Sequence, residues 1–184
     1  MGCVCEIIGE ITDTTTVIDR VLGDKTLGEV EERFYSVNVN LRQCTIPMVI
    51  SEFNLDKIIK GKVKITGSLF SDCVPSQLPR FYIYANKLEP ADPDVELTNE
   101  VAFTGTVTKV KPASVDAFGR DVVSMYLSTV SPLNTESVLF LVLKGQMARV
   151  NKSLSPRFKV NGTGFIKPYR DVYEVLVTKF EVIQ

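Results

Sequence analysis

"RFKVNGTGFI", residues 157–166, nearly repeats "GKVKITGSLF", residues 61–70. Lys62, Val63, Thr66 and Gly67 return as Lys159, Val160, Thr163 and Gly164, each 97 positions later. Similar offsets hold on either side of the phrase. "IIGEI" (7–11) answers to "AFTGTV" (102–107), with Gly9 and Gly105 separated by 96. "YSVNVNL" (35–41) maps onto "VSMYLST" (123–129), "PMVIS" (47–51) onto "LFLVL" (139–143), and "FYIYANKLEP" (81–90) onto "VYEVLVTKFEV" (172–182). Five strand-like pieces recur in one order, and the chain reads as one small fold written twice.

The pieces alternate apolar and polar residues, the period of a half-buried strand. Tyr35, Val37, Val39 and Leu41 are expected on one side, with Ser36, Asn38 and Asn40 in water on the other. After the third piece of each half comes a short helical candidate, "SEFNLDKIIKG" (51–61) and "QMARVNKSL" (146–154). The order β-β-β-α-β-β, read twice, predicts an all-β chain with short helices, folded as two tandem OB-fold Greek-key barrels. The first domain is expected over 1–90 and the second over 100–184. Between them, 91–99 falls in the Pro-containing acidic stretch "LEPADPDVELTNE" (88–100) and reads as a linker. Gly67 and Gly164 are expected where a small barrel must bend or bulge, and Gly9 and Gly105 where the first strand must curl.

The 184 residues, 45% hydrophobic, suffice for one core or for two compact ones. The formal net charge of −1 supplies no global field toward nucleic acid or membrane, so any such binding must be local. The halves differ in sign: 10 bases against 13 acids up to residue 92, then 11 against 9. Histidine is absent, which removes the commonest general base, nucleophile partner and metal ligand, so no enzyme, cofactor or metal is expected. The cysteines Cys3, Cys5, Cys44 and Cys73 match neither a disulfide framework nor a zinc motif. No apolar run spans a membrane, and Glu6 stands where an acylation pattern wants Ser or Thr, so a cytoplasmic protein is expected.

The second half, "VAFTGTVTKVKPASVDAFGRDVVSMYLSTV", resembles the opening of the bacterial and phage single-stranded DNA-binding proteins: a hydrophobic strand carrying Gly, a loop, then a long alternating strand. The likeness covers about 100–184 and, more faintly, 6–90. It implies a homodimer acting in replication, recombination or repair, with possible protein partners from those processes. The family's acidic tail with terminal Pro-Phe is not matched by "KFEVIQ" (179–184), so recruitment by that route is not expected.

Such a barrel grips a single strand with aromatic faces that stack on bases and cations that follow phosphates. Tyr126 is expected on the open face of the second strand, and by the same alternation Phe34 in the first half. The loop "FIKPYRDVY" (165–173) offers Lys167, Tyr169 and Arg170, and the first hairpin of the second half adds Lys109, Lys111, Phe118 and Arg120. Arg157 and Lys159 flank the repeated phrase, and Arg80 is the one base in the first half's corresponding loop. The grip should therefore be unequal, stronger in the second half. Binding of single-stranded RNA by the same surface and a protein-interaction scaffold are the alternatives.

Overall fold

The computed structural model describes residues 2–12, 20–21, 33–72, 80–130, 136–170 and 172–183. The first half runs β1 (Cys3–Ile11), β2 (Arg20–Val21), β3 (Arg33–Asn40), β4 (Thr45–Ser51), a 3₁₀ turn over Glu52–Lys57, β5 (Gly61–Asp72) and β6 (Arg80–Pro90). The second runs β7 (Glu100–Val110), β8 (Ser114–Val115), β9 (Asp121–Val130), β10 (Glu136–Lys144), α1 (Gly145–Val150), β11 (Lys159–Tyr169) and β12 (Val172–Ile183). Both helical segments are shorter than the sequence suggests. Ile58 and Ile59 pack against the core from beyond the 3₁₀ turn rather than from a helix face.

Each half closes on itself. β1 pairs with both β3 and β5, β5 with β6, and β6 with β4 in parallel; β7, β9, β10, β12 and β11 repeat the circuit. This closure, with one parallel pair and a helical segment after the third long strand, is that of an OB barrel, so the fold is all-β with two such barrels in tandem.

The repeated phrase has a mechanical meaning. The β5–β6 register slips between Thr66 and Gly67, and the β11–β12 register slips between Thr163 and Gly164. A Cβ on Gly67 would collide with the Tyr84 carbonyl, and one on Gly164 would lie 2.6 Å from the Leu176 carbonyl oxygen. Thr-Gly thus encodes the same bulge twice, and only a residue without a side chain lets the neighbouring strand come so close.

Matched ladders also fix the correspondence between halves. Met48 opposes Ile83 where Leu141 opposes Val175, which sets β10 93 positions beyond β4. Pairing "PMVIS" with "LFLVL" assumes 92. Because strand side chains alternate, that single step puts Phe140 in the place of buried Met48 instead of half-exposed Pro47.

The expected inward set of β3 holds at Val37, Val39 and Leu41, but two outward assignments fail. Phe34 is 5% exposed, its ring 5.9 Å from that of Tyr84, and Ser36 is buried too. Near its start β3 is covered on both sides, so period-two alternation no longer separates wet from dry. Cys3 and Cys5 point inward on β1; burial pushes the Cys5 thiol up to about 12 and the Cys3 thiol higher still, so both serve as core residues.

The barrels are fused rather than strung together. β1 and β7 pair antiparallel through Cys3–Phe103, Val4–Ala102 and Cys5–Val101, making one twelve-stranded sheet. Buried apolar residues of both halves form one contiguous cluster. Between β5 and β10, the Ser71 amide donates to Ser137 Oγ at 2.9 Å, while Ser71 Oγ donates to the Val138 carbonyl at 2.7 Å and accepts from its amide at 2.9 Å. The Tyr173 hydroxyl donates to the Thr45 carbonyl, and its ring stacks on Phe81 at 6.2 Å. The stretch expected to be a linker is docked as well. Lys62 Nζ donates to the carbonyls of Pro93 and Val95, the Thr98 amide donates to the Ile8 carbonyl at 2.9 Å, and Asn99 Nδ2 donates to the Ile166 carbonyl at 2.8 Å. Among the described residues no helix is long and apolar enough to cross a membrane.

Candidate nucleic-acid interface

On the outer face of the second barrel, β9 and β10 set Tyr126 directly opposite Phe140, with ring centroids 5.2 Å apart. Tyr126 stands on the face away from buried Val123, Met125 and Leu127, as alternation predicts. Lys111 follows β7, where its amide donates to the Ser124 carbonyl at 2.8 Å. Its ammonium reaches over both rings, 4.5 Å from the Phe140 centroid and 5.6 Å from that of Tyr126. Lys109 is exposed and opposes Tyr126 across the β7–β9 bulge.

Beside these rings lies a groove of about 390 Å³, with Lys111, Phe140, Lys144, Lys167, Tyr169 and Glu174 in its wall. Lys167 and Tyr169, expected on a loop, lie instead at the end of β11 in its ladder with β12, and they converge with Phe140 of β10 on one concavity. Tyr169 is 47% exposed with the Arg170 guanidinium 5.5 Å from its ring. Arg170 occupies the left-handed region (φ 54°), which turns the chain sharply between β11 and β12.

Across the groove is the β7–β9 hairpin. Asp116 accepts from the amides of Phe118 (2.9 Å) and Arg120 (3.0 Å) and pairs with the Arg120 guanidinium at 2.7 Å, which holds its carboxyl below the usual range. This closed turn displays Phe118, 82% exposed, with Arg120 5.1 Å from the ring. Part of the Arg120 charge is spent on Asp116. Arg149 and Lys152 are likewise committed to Asp121, at 3.1 and 2.7 Å.

Not every expected residue joins the groove. Arg157, in left-handed backbone (φ 80°), and Lys159 are exposed at the opposite end of β11 from Lys167. Eight steps along the strand separate Lys159 from Lys167, roughly 26 Å. Phe34 is closed off, as described above, and Arg80 is exposed at the start of β6, opposite Asp72. Lys62 is engaged by the interbarrel stretch, and Lys64 is paired with Glu6 at 2.6 Å.

The equivalent face of the first barrel has different chemistry. The ladder correspondence carries Tyr126 to Asn38, Phe140 to Pro47, Lys167 to Phe70 and Glu174 to Tyr82. Among the described residues two ring pairs stand there in place of a cationic groove, Phe34–Tyr84 and Phe70–Tyr82, the latter stacked at 5.5 Å. Phe34 and Phe70 are buried, leaving Tyr82 and Tyr84 half-buried. Among the described residues, all cation–ring contacts lie in the second barrel. Phe140, Lys144 and Glu174 are among the groove residues that the sequence alone did not single out.

No family model matches the chain, and no curated protein matches its sequence. Solved structures do match. The wild-type single-stranded DNA binding protein from Thermus aquaticus superposes with a TM-score of 0.74 at 15% identity, over 100% of this chain and 93% of its own. A deletion mutant of the same protein gives 0.72 at 15% identity, over 100% and 95%. The protein PriB from Ralstonia solanacearum covers 47% of this chain and 98% of its own, with 16% identity and a TM-score of 0.43. The full-length matches show that this chain shares its two-barrel fold with the Thermus aquaticus protein.

Proposed function

We propose that the chain binds single-stranded DNA with tolerance for sequence, coating and protecting it during replication, recombination or repair without catalysis. The observation that carries this reading is the convergence of Phe140 and Tyr169 with Lys111, Lys144 and Lys167 on one groove of the second barrel, beside which Tyr126 pairs with Phe140. Rings at that spacing stack on bases, and ammonium groups beside them follow phosphates. Phe118 and Arg120 on one side, and Arg170 on the other, extend the path beyond the groove. The first barrel contributes Tyr82, Tyr84 and Arg80 as a weaker continuation. A homodimer, implied by the resemblance to this class, would bring four barrels together.

Tyrosine emission tests the reading directly, since the chain has no tryptophan. Oligo(dT) is expected to quench it, with a log–log salt slope of about −3 to −4 for four to six neutralised phosphates. Equal quenching by oligo(rU) would point to RNA, and silence with both would point to a protein-interaction role. Phe140→Ala, or Lys167→Ala with Arg170→Ala, should weaken oligo(dT) binding roughly 5- to 100-fold. Lys60→Ala with Lys62→Ala should change it far less, and the reverse ranking would refute the assignment of the grip to the second barrel. Sedimentation should give twice the 20.5 kDa chain mass if the dimer forms.

A further inference from the structure

Glu174 has no place in a simple grip for a polyanion. It lies on β12 as the register partner of Lys167, lines the groove with Phe140, Lys144 and Tyr169, and is 4% exposed. Lys144 and Lys167 act on it electrostatically, but among the described residues no hydrogen bond reaches its carboxylate. Its small accessible surface is at the groove floor. Among the described residues no sealed side-chain oxygen lacks a partner, so this carboxylate is not closed off: two ammonium groups flank it, and the groove leaves it an acceptor open to a ligand.

Resting on the single-stranded DNA reading, we propose that Glu174 reads the edge of a base seated in the groove. It accepts a hydrogen bond from an exocyclic amine, so the second barrel favours cytosine and adenine over uracil and thymine. The charges set the orientation. A carboxylate repels phosphate, so the backbone stays with Lys111, Lys144 and Lys167 while the base turns inward toward the floor. An ionised carboxylate is an acceptor only. Cytosine N4 and adenine N6 present donors to it, whereas uracil and thymine present O4 at the corresponding edge, and two acceptors repel. Burial pushes the Glu174 carboxyl up, and the two flanking ammonium groups oppose that shift.

The duplication supplies an internal contrast. At the equivalent positions the first barrel has the stacked pair Phe70–Tyr82, which offers a π-face and no acceptor of this kind. Stacking accepts every base, so discrimination belongs to the second barrel alone.

Oligo(dC) and oligo(dU) are the probes, because they differ at this edge by an amine against a carbonyl and both lack the thymine methyl. Their affinities for the full chain are read from tyrosine emission at pH 7.5 and matched salt. The wild type is expected to bind oligo(dC) about tenfold more tightly. Glu174→Gln, whose amide can donate or accept, should bring the ratio near one while binding both oligonucleotides. Lys60→Ala, at an exposed residue outside the grip, should leave the ratio as in the wild type. A wild-type ratio of one, whatever the variants do, overturns the inference and leaves the single-strand reading standing. A preference retained in Glu174→Gln also overturns it. Failure to bind either oligonucleotide removes the underlying reading and the inference with it.

Discussion

Glu174 exposes itself to test even without DNA. Its carboxyl is raised first by burial, so the native state holds this proton more tightly than the unfolded chain does. The associated stability is fully present below the ordinary glutamate range, about pH 4.3, and is lost as pH rises through the higher native value. Glu174→Gln cannot titrate. Its melting temperature should therefore gain on the wild type as pH rises from the acid side toward neutrality, and a constant difference would show that burial does not penalise the anion. At this scale the sequence was partly legible. Tyr126, flanked by Met125 and Leu127 and sharing its side of the strand with Ser124 and Ser128, declared its face through its neighbours. Phe140 stands in "VLFLV", where every residue is apolar and no polar neighbour marks the period, so only the ladder with Tyr126 reveals its side.

The two bulges are the elements on which barrel closure turns. Gly67→Ala would drive a Cβ into the Tyr84 carbonyl, and Gly164→Ala would place one 2.6 Å from that of Leu176. Either substitution is expected to cost about 1–3 kcal/mol as the strand is pushed aside, measurable by urea unfolding. No change would mean that the bulge is set by the neighbouring strand instead. The repeated Thr-Gly made these sites legible because a bulge depends on a local backbone requirement. Strand correspondence in β4 and β10 was not legible, because loops of different length erase the offset and a one-residue slip exchanges the faces. Phe34 was misplaced for a different reason: it satisfies alternation, but β3 is covered on both sides near its start.

Across the whole molecule, fusion replaces the two independent units that a duplicated sequence suggests. The β1–β7 pairing, the Ser71–Ser137 exchange and the docked stretch 91–99 join the barrels through buried contacts. Far-UV and tyrosine signals should report one cooperative unfolding transition, and two separated transitions would show that the barrels act alone. The sequence by itself determined the elements, their order and their repetition, because alternation, helix signals and glycine placement depend on near neighbours along the chain. Only the tertiary structure decided which rings and cations share a groove, that Glu174 lies at its floor, and that the halves share a core. Those are meetings between residues distant in sequence, selected by strand register and packing, and no local pattern encodes them.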